Sequence, residues 1–182
     1  MLASVHSGTI HGVEGLPVEV EVDIAGGLPG FDVVGLPEGA VKEGTHRVRA
    51  ALRNSGYAVP ARKVVINLAP ADLRKEGSAF DLPIAIGILA ASGQIPCEAL
   101  HGWQLLGELS LDGRVKSVRG ALPIAAGGRA LGLRGMLLPD ANAHEAAVLP
   151  DFAVLPVETL AEAVAFLRGE REIAPIQVDL AA

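Results

Sequence analysis

The sequence predicts an α+β fold in which antiparallel strands come first and strands alternate with helices later. In residues 16–24, valines and an isoleucine alternate with three carboxylates, a period of two that predicts a strand with one solvent-exposed face. Residues 3–10 form the strand before it. The Gly-Gly-Leu-Pro-Gly segment at 26–30 predicts a tight turn, after which residues 31–34 form a third strand. The beginning of the chain is therefore interpreted as an antiparallel unit.

Helical patterns follow these opening strands. In residues 38–54, apolar side chains recur every three or four positions, and Gly56 provides a stop signal. Residues 104–116 predict a hairpin, because Asp112-Gly113 is a strong turn signal between two strand-like runs. Further helices are predicted at 80–91, 121–131, 142–149 and 158–168, and further strands at 64–66, 135–138 and 152–156.

Composition argues against several classes of protein. The chain has 182 residues, 50% of them hydrophobic, a net charge of −6 and one cysteine, so an internal disulfide is impossible. Its start has no signal-peptide pattern, and its longest apolar stretch, 82–91, is shorter than the roughly 18 residues that a membrane helix needs. We therefore expect a cytoplasmic protein that does not bind a membrane. The acidic charge argues against nucleic-acid affinity over the whole surface but is compatible with a local basic patch.

The motifs of common cofactor sites are absent from the sequence. The glycines at 30–35 are followed by Leu36-Pro37 rather than by Lys and Ser or Thr, so there is no phosphate-binding loop. No two glycines stand at positions i and i+2, which excludes the dinucleotide fingerprint. His144-Glu145 begins like a zinc-protease helix, but Val148 replaces the second histidine. The sequence thus predicts no metal and no cofactor in this chain.

One face of the helix predicted at 38–54 is basic. Lys42, His46, Arg49 and Arg53 lie at i, i+4, i+7 and i+11, a spacing that stacks them along one side of a helix. Such a stripe is either an ordinary solvated face or a surface for phosphate or an acidic neighbouring subunit. The predicted contact residues for DNA or a subunit are Lys42, His46, Arg49, Arg53, Arg62 and Lys63.

The stretch at 67–93 has the order strand, polar loop and apolar helix. Ser78, Ala79 and Asp81 are predicted at the start of this helix, a place where functional groups often collect. Asp81 also has a purely structural interpretation, because a carboxylate in the first turn is stabilised by the helix dipole and backbone N–H groups. The sequence leaves both interpretations open.

The segments KEGSAFDLPIAIG at 75–87 and GELSLDGRVKSVRGALPIAAGGRALGLRGMLLPDAN at 107–142 resemble the protease domain of Lon-type proteins, over roughly 62–167. In that resemblance, Ala79 occupies the position of the catalytic serine and Ile124 that of the catalytic lysine. A one-residue gap would make Ser78 the nucleophile instead. No lysine follows Lys116, however, so the later helix cannot supply the neutral amine that activates a serine. The degenerate protease site implied by the resemblance comprises Asp72, Arg74, Lys75, Ser78, Ala79, Asp81 and Ile124.

A longer resemblance covers nearly the whole chain. FDVVGLPEGAVKEGTHRVRAALRNSG at 31–56, followed by KVVINLAPADLRKEGSAFDLPIAIGILAASG at 63–93, is similar to the N-terminal domain of ComM-type proteins. These are magnesium-chelatase-like AAA+ ATPases associated with DNA branch migration in natural transformation. Gly44 departs from the family, which usually has a bulkier residue there, and glycine costs a helix roughly 1 kcal/mol relative to alanine.

The resemblance implies a ribosomal protein S5 domain 2-like fold of the α+β class. It assigns residues 1–169 to the Lon-like N-terminal domain and 170–182 to a linker toward an absent AAA+ module. That module, rather than this chain, would bind ATP and Mg²⁺. The resemblance also implies that the full-length protein self-associates as a hexamer.

Three functions follow from these observations. The first is a non-catalytic accessory domain of a ComM-type ATPase, which contributes to ring assembly or DNA contact. The second is a divergent Lon-like serine peptidase that uses Ser78. The third is a protein interaction module that does not bind DNA. Its basic helix would contact acidic strand residues of a neighbouring molecule, such as Glu19, Glu21 and Asp23.

Overall fold

A computed structural model describes residues 1–178 as a mixed β-sheet with five α-helices. The strands are β1 (Leu2–His11), β2 (Glu14–Ala25), β3 (Gly30–Val34), β4 (Lys63–Ala69), β5 (Trp103–Leu105), β6 (Glu108–Leu109), β7 (Val115–Lys116), β8 (Gly135–Pro139) and β9 (Ala153–Val157). The helices are α1 (Gly39–Asn54), α2 (Asp81–Ala91), α3 (Ala121–Ala130), α4 (Asp140–Ala146) and α5 (Leu160–Leu167). A 3₁₀ turn occupies Cys97–Leu100. This architecture is compatible with the predicted α+β class.

Seven strands form the main sheet in the order β3-β4-β2-β1-β5-β8-β9. β1 and β2 pair antiparallel over their full length, as predicted, and β4 pairs antiparallel with β2. The prediction that the third strand belongs to an antiparallel unit is wrong, because β3 pairs parallel with β4 at the sheet edge. The glycine-rich turn therefore carries the chain past the position that β4 later fills. Only a parallel crossover through α1 makes this pairing possible.

The predicted hairpin at 104–116 is divided between two sheets. β5 joins the main sheet in parallel with β1 and β8, and only β6 and β7 form a small antiparallel hairpin around Asp112-Gly113. Trp103, Gln104 and Leu105 are all buried, which is typical of a central strand covered on both faces. The turn was correctly located, but the hairpin begins at Glu108 rather than at Gln104, because Gln104 and Leu105 belong to β5.

Helices cover the two faces of the sheet unequally. α1, α2 and α5 pack on one face over a large core of aliphatic side chains. α3 and α4 pack on the other face over a smaller core, and they cover the part of the sheet near β8, β9 and the β1–β2 turn. Gly87 allows α2 to approach β2 closely, because a Cβ there would lie 2.6 Å from a methyl carbon of Val22.

Residues 170–178 contain no helix or strand, yet they are attached to the domain. Ile173 packs against the larger core and Ile176 against the smaller one. The Ile176 N–H donates to the carbonyl oxygen of Val154 in β9 at 2.9 Å. The predicted linker thus begins with a segment that lies along the protein. Residues 179–182 fall outside the described part of the chain. In the described part, no helix has the length and apolar character needed to cross a membrane.

Candidate functional site: a cleft at the start of helix α2

A cleft of about 770 Å³ opens between the end of β1, the loop before α2 and the first turn of α3. Its apolar wall includes Ile10, Phe80 and Ile124, and polar groups come from Thr9, Ser78 and Ser117. The residues that line it are Gly8, Thr9, Ile10, Gly12, Glu76, Gly77, Ser78, Ala79, Phe80, Ser117, Val118, Arg119 and Ile124. The cleft lies at the helix start where the sequence predicted a site.

The structure brings Ser78, Ala79 and Ile124 together on the walls of this cleft. Ser78 and Ala79 are half-buried, whereas Ile124 is 3% exposed and packs in the smaller core. Among the described residues that line the cleft, none is a lysine or a histidine. A serine hydroxyl becomes a good nucleophile only beside a general base, and a guanidinium group is not such a base. The lining therefore offers Ser78 no amine or imidazole.

Backbone hydrogen bonds fix the loop that carries Ser78 and Ala79. The Gly107 N–H donates to the carbonyl oxygen of Ala79 at 2.9 Å, and the Leu82 N–H donates to that of Gly107 at 3.0 Å. The segment between β5 and β6 thus clamps the start of α2. Main-chain contacts therefore fix the position of this loop.

Two buried amide side chains hold the other walls of the cleft. Gln104 donates to the carbonyl oxygens of Ser7 and Ile124, at 3.2 Å each, and so ties α3 to β1. Asn142 accepts from the Val118 N–H and donates to the Val118 carbonyl oxygen, both at 2.9 Å. Asn142 ends the segment at 107–142 that resembles Lon-type proteins, but nothing in the local pattern around Gln104 predicted its role.

Asp81 lies one residue beyond the cleft and faces the protein interior, with 2% of its side chain exposed. Nε of Arg47 lies 2.7 Å from Oδ2, and Nη2 of Arg47 lies 3.2 Å from Oδ1. The Leu109 N–H also donates to Oδ2, at 3.0 Å. Burial raises the pKa of Asp81 to about 6, and the hydrogen bonds from Arg47 and Leu109 oppose this increase. Asp81 begins the helix as predicted, but these partners lie outside that helix.

Gly44 is explained by the same ion pair. A Cβ at this position would lie 2.4 Å from Oδ1 of Asp81 and 3.2 Å from Nη2 of Arg47. The glycine in α1 therefore makes room for a carboxylate that arrives from α2. From the sequence alone, Gly44 is a departure from the family that weakens the helix. In the structure, the close approach of Asp81 to α1 requires a glycine at this position.

Lys75 is completely buried and does not line the cleft. Its ammonium donates to the carbonyl oxygens of Gly35, at 2.8 Å, and Pro70. Its backbone also bonds to the other loop, because its N–H donates to Leu36 and its carbonyl oxygen accepts from Glu38. Burial lowers the pKa of Lys75, while nearby Asp72 opposes that shift. Lys75 thus joins the loop before α1 to the loop before α2.

The other two charges predicted for the degenerate site are at the surface. Asp72 is exposed, and Arg74 forms a 2.7 Å ion pair with Glu38 at 79% side-chain exposure. An ion pair so open to water contributes little to stability. Of the seven residues predicted for the site, only Ser78, Ala79 and Ile124 line the cleft.

The basic stripe, which we define as Lys42, His46, Arg49 and Arg53, does form one face of α1. Lys42, His46 and Arg53 are exposed, and the guanidinium carbon of Arg49 lies 4.5 Å from the ring centroid of Phe31 in β3. Arg62 is exposed just before β4.

Lys63, in contrast, does not extend the stripe. Its side chain alternates with buried Val64 and forms a 2.7 Å ion pair with Asp32 on the sheet face opposite α1. The six predicted contact residues therefore lie on two sides of the sheet.

Comparison with known proteins identifies the family of the chain. Residues 20–142 match the family described as subunit ChlI of Mg-chelatase, so the chain belongs to that family.

Proteins of known sequence extend the match to almost the entire chain. It is 43% identical over 181 residues to the uncharacterized protein YifB of Salmonella typhimurium, covering 99% of this chain and 36% of YifB. It is 42% identical over 172 residues to the competence protein ComM of Haemophilus influenzae, covering 94% of this chain and 34% of ComM. The predicted resemblance to ComM-type proteins is confirmed. The chain spans about a third of the length of these relatives.

Proposed function

We propose that this chain is a non-catalytic accessory domain of a ComM-type AAA+ ATPase with a ribosomal protein S5 domain 2-like, Lon-like fold. One observation carries the proposal: the cleft places Ala79 and Ile124 on its walls, where the Lon resemblance expects a serine and a lysine. An alanine methyl and an isoleucine can neither attack a carbonyl group nor transfer a proton. In this proposal the cleft keeps the place of a hydrolytic site without the serine and lysine of the Lon pattern.

In this proposal the domain serves a cytoplasmic motor that acts in DNA branch migration. ATP and Mg²⁺ bind to an AAA+ module elsewhere in the full-length protein, and the domain contributes to a hexameric ring or to its DNA contact. The relative coverage supports this division, because the chain corresponds to 34% of ComM. The exposed basic stripe on α1 is the surface that we assign to DNA or a neighbouring subunit.

The test compares the full-length parent protein with the same protein lacking residues 1–169. We expect the shortened protein to lose branch migration of forked DNA while it retains ATP hydrolysis, because the domain supplies no part of the ATPase site. Unchanged branch migration in the shortened protein contradicts the accessory role.

The divergent peptidase is tested separately on the chain itself. A serine-directed covalent probe is expected to leave Ser78 unmodified, since the described lining of the cleft contains no amine or imidazole base. Labelling of Ser78 that disappears in a Ser78→Ala variant would establish the peptidase alternative.

A further inference from the structure

The sheet carries an acidic face that the helices leave uncovered. Glu19, Glu21 and Asp23 of β2 point to the side opposite the buried valines of that strand, and Asp32 of β3 lies on the same side. We call these four residues the open sheet face. α3 covers this side of the sheet only at its other end, where it packs against Gly8 and Gly15.

The open sheet face is acidic and partly apolar. The negative charge of Asp32 is neutralised by its ion pair with Lys63. Glu19, Glu21 and Asp23, in contrast, have no ion-pair partner in the described part of the chain. Glu19 and Glu21 accept hydrogen bonds from the neutral side chains of Ser4 and Asn67. Half-buried Val65 and 46% exposed Val34 lie beside them on the same side. The surface therefore combines uncompensated negative charge with aliphatic area.

The basic stripe has the opposite charge and a similar length. From Lys42 to Arg53 it extends about 16 Å, at roughly 1.5 Å per helical residue. The row from Glu19 to Asp23 extends about 14 Å, at roughly 3.4 Å per strand residue. Lys42, Arg49 and Arg53 make no ion pair with the carboxylates of residues 1–178, so their charges are available to a second molecule.

We propose that the basic stripe of one copy of this chain binds the open sheet face of the next copy. The sheet separates the two surfaces, so a single molecule cannot pair them with each other. A contact between two different patches is heterologous, and its repetition gives a ring or an open helical array rather than a two-fold dimer. The proposal rests on the accessory role proposed above and names the partner of the basic stripe as a second subunit rather than DNA.

The test uses reciprocal charge reversal at exposed positions. One variant, Lys42→Glu/Arg53→Glu, makes the helix acidic, and another, Glu19→Lys/Asp23→Lys, makes the sheet face basic. Arg49 is left unchanged because its packing on Phe31 is part of the fold. Sedimentation velocity measures self-association at low and physiological ionic strength, and circular dichroism verifies that each variant is folded. The matched control is Lys116→Glu/Arg129→Glu, which makes the same charge change at exposed positions outside both surfaces.

Each double variant is expected to associate at least about tenfold more weakly than the wild type, because like charges then face each other. The quadruple variant and an equimolar mixture of the two double variants restore opposite charges at every contact, and both are expected to recover association. The control should associate like the wild type. Higher ionic strength should weaken the contact.

Three outcomes overturn the proposal. The first is a wild-type chain that remains monomeric up to about 1 mM, the effective concentration that neighbouring modules reach in a tethered assembly. The second is a quadruple variant that does not recover association. The third is a helix variant that associates like the wild type but no longer binds single-stranded or forked DNA, as measured by the fluorescence anisotropy of labelled DNA. That result would assign the stripe to DNA. The accessory role is tested by a different experiment, the deletion of residues 1–169. Its failure, unchanged branch migration, can therefore be told apart from failure of the contact between copies.

Discussion

The cleft and the ion pair between Arg47 and Asp81 meet at the start of α2, and they differ in chemistry. On the cleft side, Ser78 and Ala79 face Ile124 without a lysine or histidine among the lining residues. On the interior side, Asp81 is buried and receives three hydrogen bonds, two from Arg47 and one from Leu109. The comparison shows that polar groups near a helix start can serve the fold while the adjoining cleft offers its serine no amine or imidazole.

The ion pair is expected to matter most when one partner is removed. Arg47→Met leaves the carboxylate of Asp81 buried and unpaired, which should lower the free energy of unfolding by about 3 to 5 kcal/mol at neutral pH. Arg47→Met/Asp81→Asn removes both charges and retains an oxygen for the Leu109 N–H, so it should be more stable than the single variant. Urea denaturation measures both. A double variant no more stable than Arg47→Met would show that the guanidinium acts through packing alone.

The pH dependence of stability provides the next largest effect. The pKa of Asp81 is raised from 3.8 to about 6 in the folded protein, so between about pH 4 and 6 the folded state binds more protons than the unfolded state. The contribution of Asp81 to stability is therefore greatest at low pH and falls as pH rises through this window, by an amount on the order of 2 to 3 kcal/mol. The measurement is the difference in unfolding free energy between wild type and Asp81→Asn at several pH values. If wild type instead became more stable relative to Asp81→Asn as pH rises, the effect of Arg47 on the pKa of Asp81 would outweigh that of burial.

Local pattern predicted the elements of this site better than their contacts. The period-two strand, the apolar helix at 80–91 and the basic stripe all appear close to their predicted positions. Periodicity reports which face of an element is buried, but it does not identify the element that packs on it. For this reason the parallel pairing of β3 with β4, which depends on the crossover through α1, was missed.

Arg47 was also missed, although two signals pointed to it. It is the only basic residue of α1 that lies off the basic stripe, and Asp81 stands at the start of a continuous apolar run. A carboxylate in such a run needs a partner when it is buried. The partner is 34 positions away, however, and only the packing of α1 on α2 brings the two side chains together. The resemblance to Lon-type proteins placed Ala79 and Ile124 in one site for which no local pattern existed.

Gly44 tests whether the space around the ion pair is required. Helix propensity alone predicts that Gly44→Ala stabilises α1 by roughly 1 kcal/mol. Because the new Cβ would lie 2.4 Å from Oδ1 of Asp81, we expect instead a loss of about 2 kcal/mol. Gly39→Ala is the matched control, since a Cβ at this exposed position meets no atom within 4 Å. Thermal unfolding of the two variants should therefore shift in opposite directions, and stabilisation by both would remove the steric argument.

The smallest effect is expected on the cleft side of the comparison. Ser78 is half-buried and its loop is held by main-chain hydrogen bonds at Ala79, so Ser78→Ala should change the free energy of unfolding by less than about 0.5 kcal/mol. Ser7→Ala is the control, because the Ser7 hydroxyl is buried and donates to the carbonyl oxygen of Leu105 at 2.8 Å. Its loss should cost about 1 kcal/mol or more. If urea denaturation showed the larger loss at Ser78, the cleft serine would have a structural role that its contacts do not reveal.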